Sequence, residues 1–248
     1  MRSWGSTPMR IDAHSPRGDA GEAGLLLLQA WLSPAFPVGG YSYSHGLEYA
    51  VEAHALHDRR ELQDWIEGIL RFGAGRNDAL LIREIHRSVT AQELERCEQI
   101  AAFAGAFRGT AELALEASAQ GAAFLKALAA GWPDLAATAP LAGWAKTAQR
   151  PVYAIAFGAA AAVAGIDARL AMVSYLHAFC SNLVSAALRL MPIGQSDGLV
   201  CLANLSKQLP PLLDALELVP FDDIGSAALM VDFCSARHET QYTRLFRS

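Results

Sequence analysis

The sequence predicts a single all-α domain of about ten helices, preceded by a disordered lead-in and followed by a short tail. Apolar residues recur at the three- and four-residue spacing of a helix, as in the run Leu62, Trp65, Ile66, Ile69 and Leu70. No stretch of five or more residues alternates apolar and polar side chains between hairpin turns. The chain is 52% apolar and only 18% charged, a composition that excludes disorder of the whole chain.

Composition also sets the boundaries of the domain. Residues 1–22 are rich in Gly, Ser, Pro and Arg and lack apolar periodicity, so we predict a disordered lead-in. Residues 23–236 carry the helical pattern and form the predicted domain. Residues 237–248 combine three Arg with Tyr, Leu and Phe in no core-like period, which is typical of interface anchors rather than of a free tail.

The first elements follow from local chemistry. We predict a short helix over residues 25–32 and then a proline- and glycine-rich loop over residues 33–44. This loop is apolar and aromatic, so we expect it to pack against another surface. A helix capped by a serine follows over residues 44–54, and Asp58 with Glu61 three residues later begins the next helix as a capping box.

Similar signals for helix starts and helix ends recur along the rest of the chain. Asn77, Thr90, Thr110, Asp167 and Ser196 can each accept hydrogen bonds from the N-terminus of a helix, and glycines or prolines end the segments. The predicted helices are residues 77–88, one from 90 onward, 110–130, 140–149, 151–163, 167–190, 196–208 and 222–236, with breaks at Pro210, Pro211 and Pro220.

Charge, cysteine usage and hydropathy narrow the class of protein. A net charge of −5 argues against nucleic acid as the partner, because phosphate recognition needs a positive surface. The four cysteines are widely spaced and form no disulfide framework or zinc knuckle, which indicates a cytoplasmic protein. Residues 170–188 are uncharged and long enough to span a membrane, but a stripe of small polar residues favours a buried helix of a soluble protein.

The sequence gives only weak evidence for a catalytic, nucleotide-binding or metal-binding site. The chain has no phosphate-binding loop, so a partner would have to supply any nucleotide site. The block of residues 40–45 lacks the strand and the second glycine of a serine-nucleophile elbow. Three pairs share metal-ligand spacing without a full ligand set. These pairs are His54 with His57, His45 with Glu48, and Cys234 with His238, which has Asp232 and Glu239 nearby. We predict no resident metal or cofactor and keep a helical metal-binding hydrolase using His54, Cys234 and His238 as the alternative.

Three blocks of the sequence resemble the urease accessory protein UreF family. They are residues 33–48 (SPAFPVGGYSYSHGLE), residues 185–195 (SAALRLMPIGQ) and residues 237–248 (RHETQYTRLFRS), in the family's order and spacing. Two positions depart from the family pattern: Gln120 stands where Met is expected before a glycine, and Tyr49 stands where Trp is expected.

The resemblance implies an all-α, non-enzymatic scaffold that forms a homodimer. It also implies binding to the accessory protein UreD (UreH), recruitment of the GTPase UreG, and modulation of the GTP-dependent loading of nickel into apo-urease. In the family, the first segment and the tail become ordered on the UreD-type partner, so we expect the tail to be mobile when the protein is alone.

We therefore predict partner contacts at both ends of the domain, in which aromatic and aliphatic groups act as anchors and arginines pair with partner carboxylates. The predicted partner-binding residues are Tyr41, Tyr43, His45, Glu48, Arg237, His238, Glu239, Tyr242, Arg244, Leu245, Phe246 and Arg247. Lys146, on a short predicted helix, is a speculative contact for the GTPase.

Overall fold

The computed structural model describes residues 17–147 and 150–248 and confirms the all-α class, since these ranges contain no β-strand. They hold twelve α-helices, whereas the sequence predicts about ten. The helices are α1 (Arg17–Trp31), α2 (Leu47–Glu52), α3 (Arg59–Phe72), α4 (Ala74–Thr90), α5 (Leu94–Ala106), α6 (Ala111–Gly131), α7 (Pro133–Ala136), α8 (Leu141–Trp144), α9 (Tyr153–Val163), α10 (Ala168–Leu190), α11 (Gln195–Glu217) and α12 (Leu229–His238). Two of the twelve, α7 and α8, are only four residues long.

The centre of the molecule is the contact of α9 with α4 and α6. Helix α9 is rich in alanine and almost wholly buried, so its backbone lies close to its neighbours. A Cβ atom on Gly158 would lie 2.7 Å from Cγ2 of Ile85 in α4. A Cβ atom on Gly121 in α6 would lie 2.1 Å from the carbonyl oxygen of Pro151, just before α9. The close approach of these helices therefore depends on small residues at the contact.

The aromatic loop after α1 packs as predicted. The ring of Phe36 lies 5.6 Å from that of Phe124 and 6.1 Å from that of Trp132. Trp31, at the end of α1, is fully buried against the same two rings, at 5.9 Å from each. The loop thus closes one end of the core.

Helix α10 is, in the part of the chain that the structure describes, the one helix long and apolar enough to cross a membrane, which by itself is weak evidence of a span. It packs against α2, α3, α4, α9 and α11 and buries residues such as Tyr175, Leu176 and Cys180. These contacts are those of a core helix, as the sequence predicts.

The helix boundaries confirm some predicted caps. Asp58 accepts hydrogen bonds from the backbone N–H groups of Arg60 and Glu61, at 2.8 and 3.0 Å, and these bonds lower the pKa of its carboxyl group. Thr110 caps α6 and Asp167 caps α10 in the same way.

Other predicted boundaries are wrong. Asn77 lies inside α4, which begins at Ala74, and Thr90 ends that helix rather than beginning the next. Helix α11 continues through Pro210 and Pro211, where a break was expected. A proline inside a helix costs about 3 kcal/mol. The buried leucine stripe that runs along α11 offsets this cost; its members are Leu205, Leu209, Leu213 and Leu216.

The ends of the domain also differ from the prediction. Helix α1 begins at Arg17, so residues 17–22 of the predicted lead-in are helical, while residues 1–16 lie outside the described residues. The predicted helix of residues 140–149 is the short α8, and residues 148–149 lie outside the described ranges. Helix α12 extends to His238, two residues beyond the predicted end.

Candidate partner-binding site

The segment between α1 and α2 is fixed between two helices. Gly46 precedes α2 with a φ of 79°, in the left-handed region that favours glycine. A Cβ atom there would stand 3.0 Å from the backbone nitrogen of Ser235, so α2 begins in direct contact with α12. A Cβ atom on Gly40 would stand 2.8 Å from the side-chain nitrogen of Asn182 in α10. The segment therefore has little freedom to shift.

Glu48, in the first turn of α2, is buried and holds the tail. One carboxylate oxygen accepts the backbone N–H of Leu245 at 2.6 Å. The other accepts the backbone N–H of Phe246 at 3.0 Å and lies 2.8 Å from Nε2 of His238. One acidic side chain thus binds both the end of α12 and the tail that follows it.

His238 is fully buried between two carboxylates. Its Nε2 faces Glu48, and its Nδ1 lies 2.7 Å from an oxygen of Glu112 in α6. The second oxygen of Glu112 accepts a hydrogen bond from Arg244 at 2.9 Å. The imidazolium form of the ring can donate to both carboxylates, which are otherwise expensive to bury. We call Glu48, Glu112, His238 and Arg244 the tail clamp.

The tail also pairs with the segment before α2. The backbone N–H of Ser44 donates to the carbonyl oxygen of Ser248 at 2.6 Å, and the N–H of Arg247 donates to the carbonyl oxygen of Ser42 at 2.8 Å. The hydroxyl of Ser248 donates to Glu116 at 3.0 Å. Residues 42–44 and 247–248, which lie at opposite ends of the domain, are therefore joined main chain to main chain.

Phe246 and Arg189 complete the attachment. Phe246 is buried, and the guanidinium of Arg189, at the end of α10, lies 4.2 Å from the centroid of its ring. The same guanidinium donates to the carbonyl oxygen of Tyr41 at 2.7 Å. Partial burial lowers the pKa of Arg189. One arginine thus links α10, the loop before α2 and the tail.

Comparison with known proteins identifies the family. The UreF family model matches residues 56–206. The urease accessory protein UreF of Granulibacter bethesdensis is 44% identical over 96% of this chain and 100% of its own length. Those of Magnetococcus marinus and Methylorubrum populi are 42% and 45% identical over 92% and 90% of this chain, and over 99% and 98% of their own lengths.

The chain belongs to the UreF family of urease accessory proteins.

The structure divides the predicted partner-binding residues of this UreF family member into two groups. The first group is buried within the chain: Tyr43, His45, Glu48, His238 and Phe246. Desolvation raises the pKa of Tyr43, an effect that Arg247 opposes. The second group is exposed: Tyr41, Arg237, Glu239, Tyr242, Arg244, Leu245 and Arg247. The predicted anchors Tyr43 and Phe246 therefore pack inside their own subunit, and only the exposed group is free to meet a partner in this conformation.

The tail is packed against the domain in this structure, and its mobility in the free protein, which the resemblance implies, stays a prediction. The sequence shows apolar and arginine side chains with no obvious core to fill, but it gives no sign that Glu48 and Glu112 are buried opposite them. Acidic residues are almost never fully buried unless they are paired. Without knowledge of its partner, each glutamate is therefore predicted to lie on the surface. For this reason the sequence does not reveal Glu112 and Glu116 as contact residues, and no neighbouring residue indicates that Arg189 links the tail to α10.

The candidate metal ligands do not converge. Within residues 17–147 and 150–248, no group of three or more His, Cys, Asp and Glu side chains is placed to hold a metal ion. The rings of His54 and His57 stack 6.4 Å apart on the surface, and His57 pairs with Glu61. His45 faces Glu116 rather than Glu48. Cys234 is buried, which raises the pKa of its thiol.

Lys146 lies exposed on the turn that follows α8. Its role as a contact for the GTPase stays a prediction.

Proposed function

We propose that this protein is a non-catalytic scaffold of urease maturation that binds a UreD (UreH) accessory protein and brings the GTPase UreG to apo-urease. Nickel would pass through this assembly as cargo, without being a resident cofactor of the chain. The proposed setting is the cytoplasm, and the proposed active form is a homodimer. Membership of the UreF family supports the urease-related role of the chain.

The observation that carries this proposal is the arrangement of the two ends of the domain. The tail clamp fixes residues 237–248 against the start of α2, so that Tyr242 is fully exposed and Leu245 is 62% exposed. Tyr41, 71% exposed, belongs to the same region because Arg189 bridges its carbonyl oxygen and the ring of Phe246. Tyrosine and arginine are enriched among the residues that dominate binding energy at protein interfaces.

A fixed tail has an energetic advantage for such a scaffold. Ordering a flexible segment on binding costs about 0.5–1.5 kcal/mol for each immobilised side chain, in addition to the backbone entropy. Because the tail clamp holds the segment within the free chain, less of this cost falls on the binding step. The exposed side chains of the tail are then presented to the partner in one arrangement.

Two point substitutions in the tail test this function. We expect Tyr242→Ala with Leu245→Ala to weaken capture of UreD by about tenfold or more and to lower urease activation to the same degree. Neither side chain contributes to the buried clamp, so the unfolding midpoint should stay unchanged. Truncation at Arg237 would be less informative, because it also removes His238 from between two buried carboxylates.

The matched control is Leu199→Ala with Leu218→Ala, which truncates two exposed leucines at either end of α11. The measurement is affinity capture of co-expressed UreD by the full-length chain, followed by the nickel content and activity of the co-expressed urease. Undiminished capture and activation by the tail variant would refute the proposed role of the tail. Loss in the control as well would show that the effect is not specific to this site.

A further inference from the structure

We infer that the UreD-type partner also covers the outer face of α12, which is an exposed apolar surface. Four exposed side chains form this surface, which we call the α12 face. They are Phe72, Leu229, Met230 and Phe233, at 56%, 74%, 57% and 52% exposure. The inference rests on the proposed function and extends its binding site.

The four side chains form one surface because α12 begins against the end of α3. The backbone N–H of Ala227 donates to the carbonyl oxygen of Phe72 at 2.7 Å. A Cβ atom on Gly73 would stand 2.9 Å from Cβ of Ala228, so the two chain segments are in contact at this point. Phe72 therefore lies beside Leu229 and Met230, although 157 residues separate Phe72 from Leu229 in the sequence.

The α12 face is continuous with the tail. The ring of Phe233 contacts that of Tyr49 edge to face, with centroids 6.4 Å apart. Arg237 also contacts Tyr49. Its guanidinium is 5.8 Å from the centroid of the Tyr49 ring, and its Nε is 3.3 Å from the Tyr49 hydroxyl. Gln241, next to the exposed Tyr242, donates to Glu52 at the end of α2. These contacts connect the α12 face to the tail through Tyr49 and Glu52.

Interface size favours a site that includes both surfaces. A specific protein interface buries about 800 Å² and about 20–30 residues on each partner. The exposed group of predicted partner-binding residues has seven members, far fewer than the roughly 20–30 residues of a typical interface side. The α12 face is the adjoining apolar surface, and its Met and Phe side chains are residue types enriched at the centres of interfaces.

Charge identifies the kind of partner. Residues 237–248 contain three arginines and one glutamate, although the whole chain carries a net charge of −5. A second copy of this chain, docked about a two-fold axis, would place this basic rim against itself. A different protein with an apolar patch and acidic residues at its edge matches the surface better. We therefore assign the α12 face to the UreD-type partner and not to a second subunit.

The test uses the full-length chain with Leu229→Ser and Met230→Ser. Both side chains are exposed, so the helical circular dichroism and the unfolding midpoint should match those of the unchanged protein. Leu199→Ser with Val200→Ser is the matched control, since it alters an adjacent exposed apolar pair on α11. We expect the α12 variant to capture at least about tenfold less co-expressed UreD, and the control to stay within about twofold.

Three results separate the possibilities. If the unchanged chain captures UreD and the tail variant does not, but the α12 variant captures it normally, the inference is overturned while the proposed function stands. If the unchanged chain fails to capture UreD, the proposed function itself fails. If the α12 variant keeps UreD but changes the mass of the protein in solution, the α12 face joins two copies of the chain and the inference is again overturned.

Discussion

The contact of α9 with α4 and α6 and the attachment of the tail are both buried, but they use different chemistry. The first is made mainly of alanine, glycine, aliphatic and aromatic side chains with backbones in close approach. The second is made of carboxylates, an imidazole, a guanidinium and main-chain groups. Apolar packing is non-directional and depends on volume, whereas a buried polar network depends on every member being present.

This difference means that each region is sensitive to its own kind of substitution. The central contact depends mainly on close backbone approach, so it does not tolerate added volume. The tail clamp is most sensitive to the loss of one hydrogen-bonding partner, because a buried carboxylate then keeps fewer donors than its burial requires. The following three substitutions or modifications test the contrast, beginning with the largest expected effect.

The largest effect is expected for His238→Ala. Removing the imidazole takes one hydrogen-bonding partner from each of the buried carboxylates Glu48 and Glu112, and each such loss costs about 1–3 kcal/mol. Urea unfolding followed by circular dichroism measures the change. The control is His177→Ala on the exposed side of α10, which should alter the free energy of unfolding by no more than about 0.5 kcal/mol. A loss below about 1 kcal/mol for His238→Ala would show that the clamp contributes little.

A smaller loss is expected for Gly121→Ala in the central contact. The added Cβ would lie 2.1 Å from the carbonyl oxygen of Pro151, so α6 and α9 must move apart, at a cost of about 2–3 kcal/mol. In the control, Gly68→Ala in α3, the new Cβ meets no atom within 4 Å. That control should stabilise the protein by about 0.5–1 kcal/mol through helix propensity. Equal stability of the two variants would contradict the close approach of the helices.

The mildest test compares two cysteines. Burial raises the pKa of Cys180, in α10 of the core, to about 12, so almost no thiolate forms at pH 8. Cys234 in α12 is also buried with a raised pKa, but it lies in the helix that the clamp holds at the edge of the domain. We expect Cys234 to react with iodoacetamide at least about tenfold faster than Cys180, because opening of α12 costs less free energy than unfolding of the core. Peptide mass spectrometry over time measures both rates, and a faster reaction at Cys180 would reverse the assignment of the weaker region.

Local chemistry accounts for what the sequence predicted correctly. The caps Asp58, Thr110 and Asp167 act on backbone groups two or three residues away, so their roles can be inferred from neighbouring residues alone. The packing of the aromatic loop was also correctly predicted, because apolar and aromatic side chains are unfavourable in water.

The errors come from effects that act over long range. Pro210 and Pro211 break a helix by local rules, but packing of the leucine stripe of α11 overrides them. Glu48 and His238 are 190 residues apart, and nothing near either residue indicates that they meet. The exposed or buried state of the tail residues, and hence which of them can contact a partner, depends on pairs of this kind.

The hydrogen bonds from Leu245 and Phe246 to Glu48 come from the main chain, so this carboxylate would bind almost any residue types at those two positions. The outward-facing side chain at position 245 can therefore change during evolution without loosening the tail. Attachment of the tail and the chemistry of its exposed side chains are therefore separable properties, and a lineage could change partner preference by exchanging one side chain on an unaltered framework.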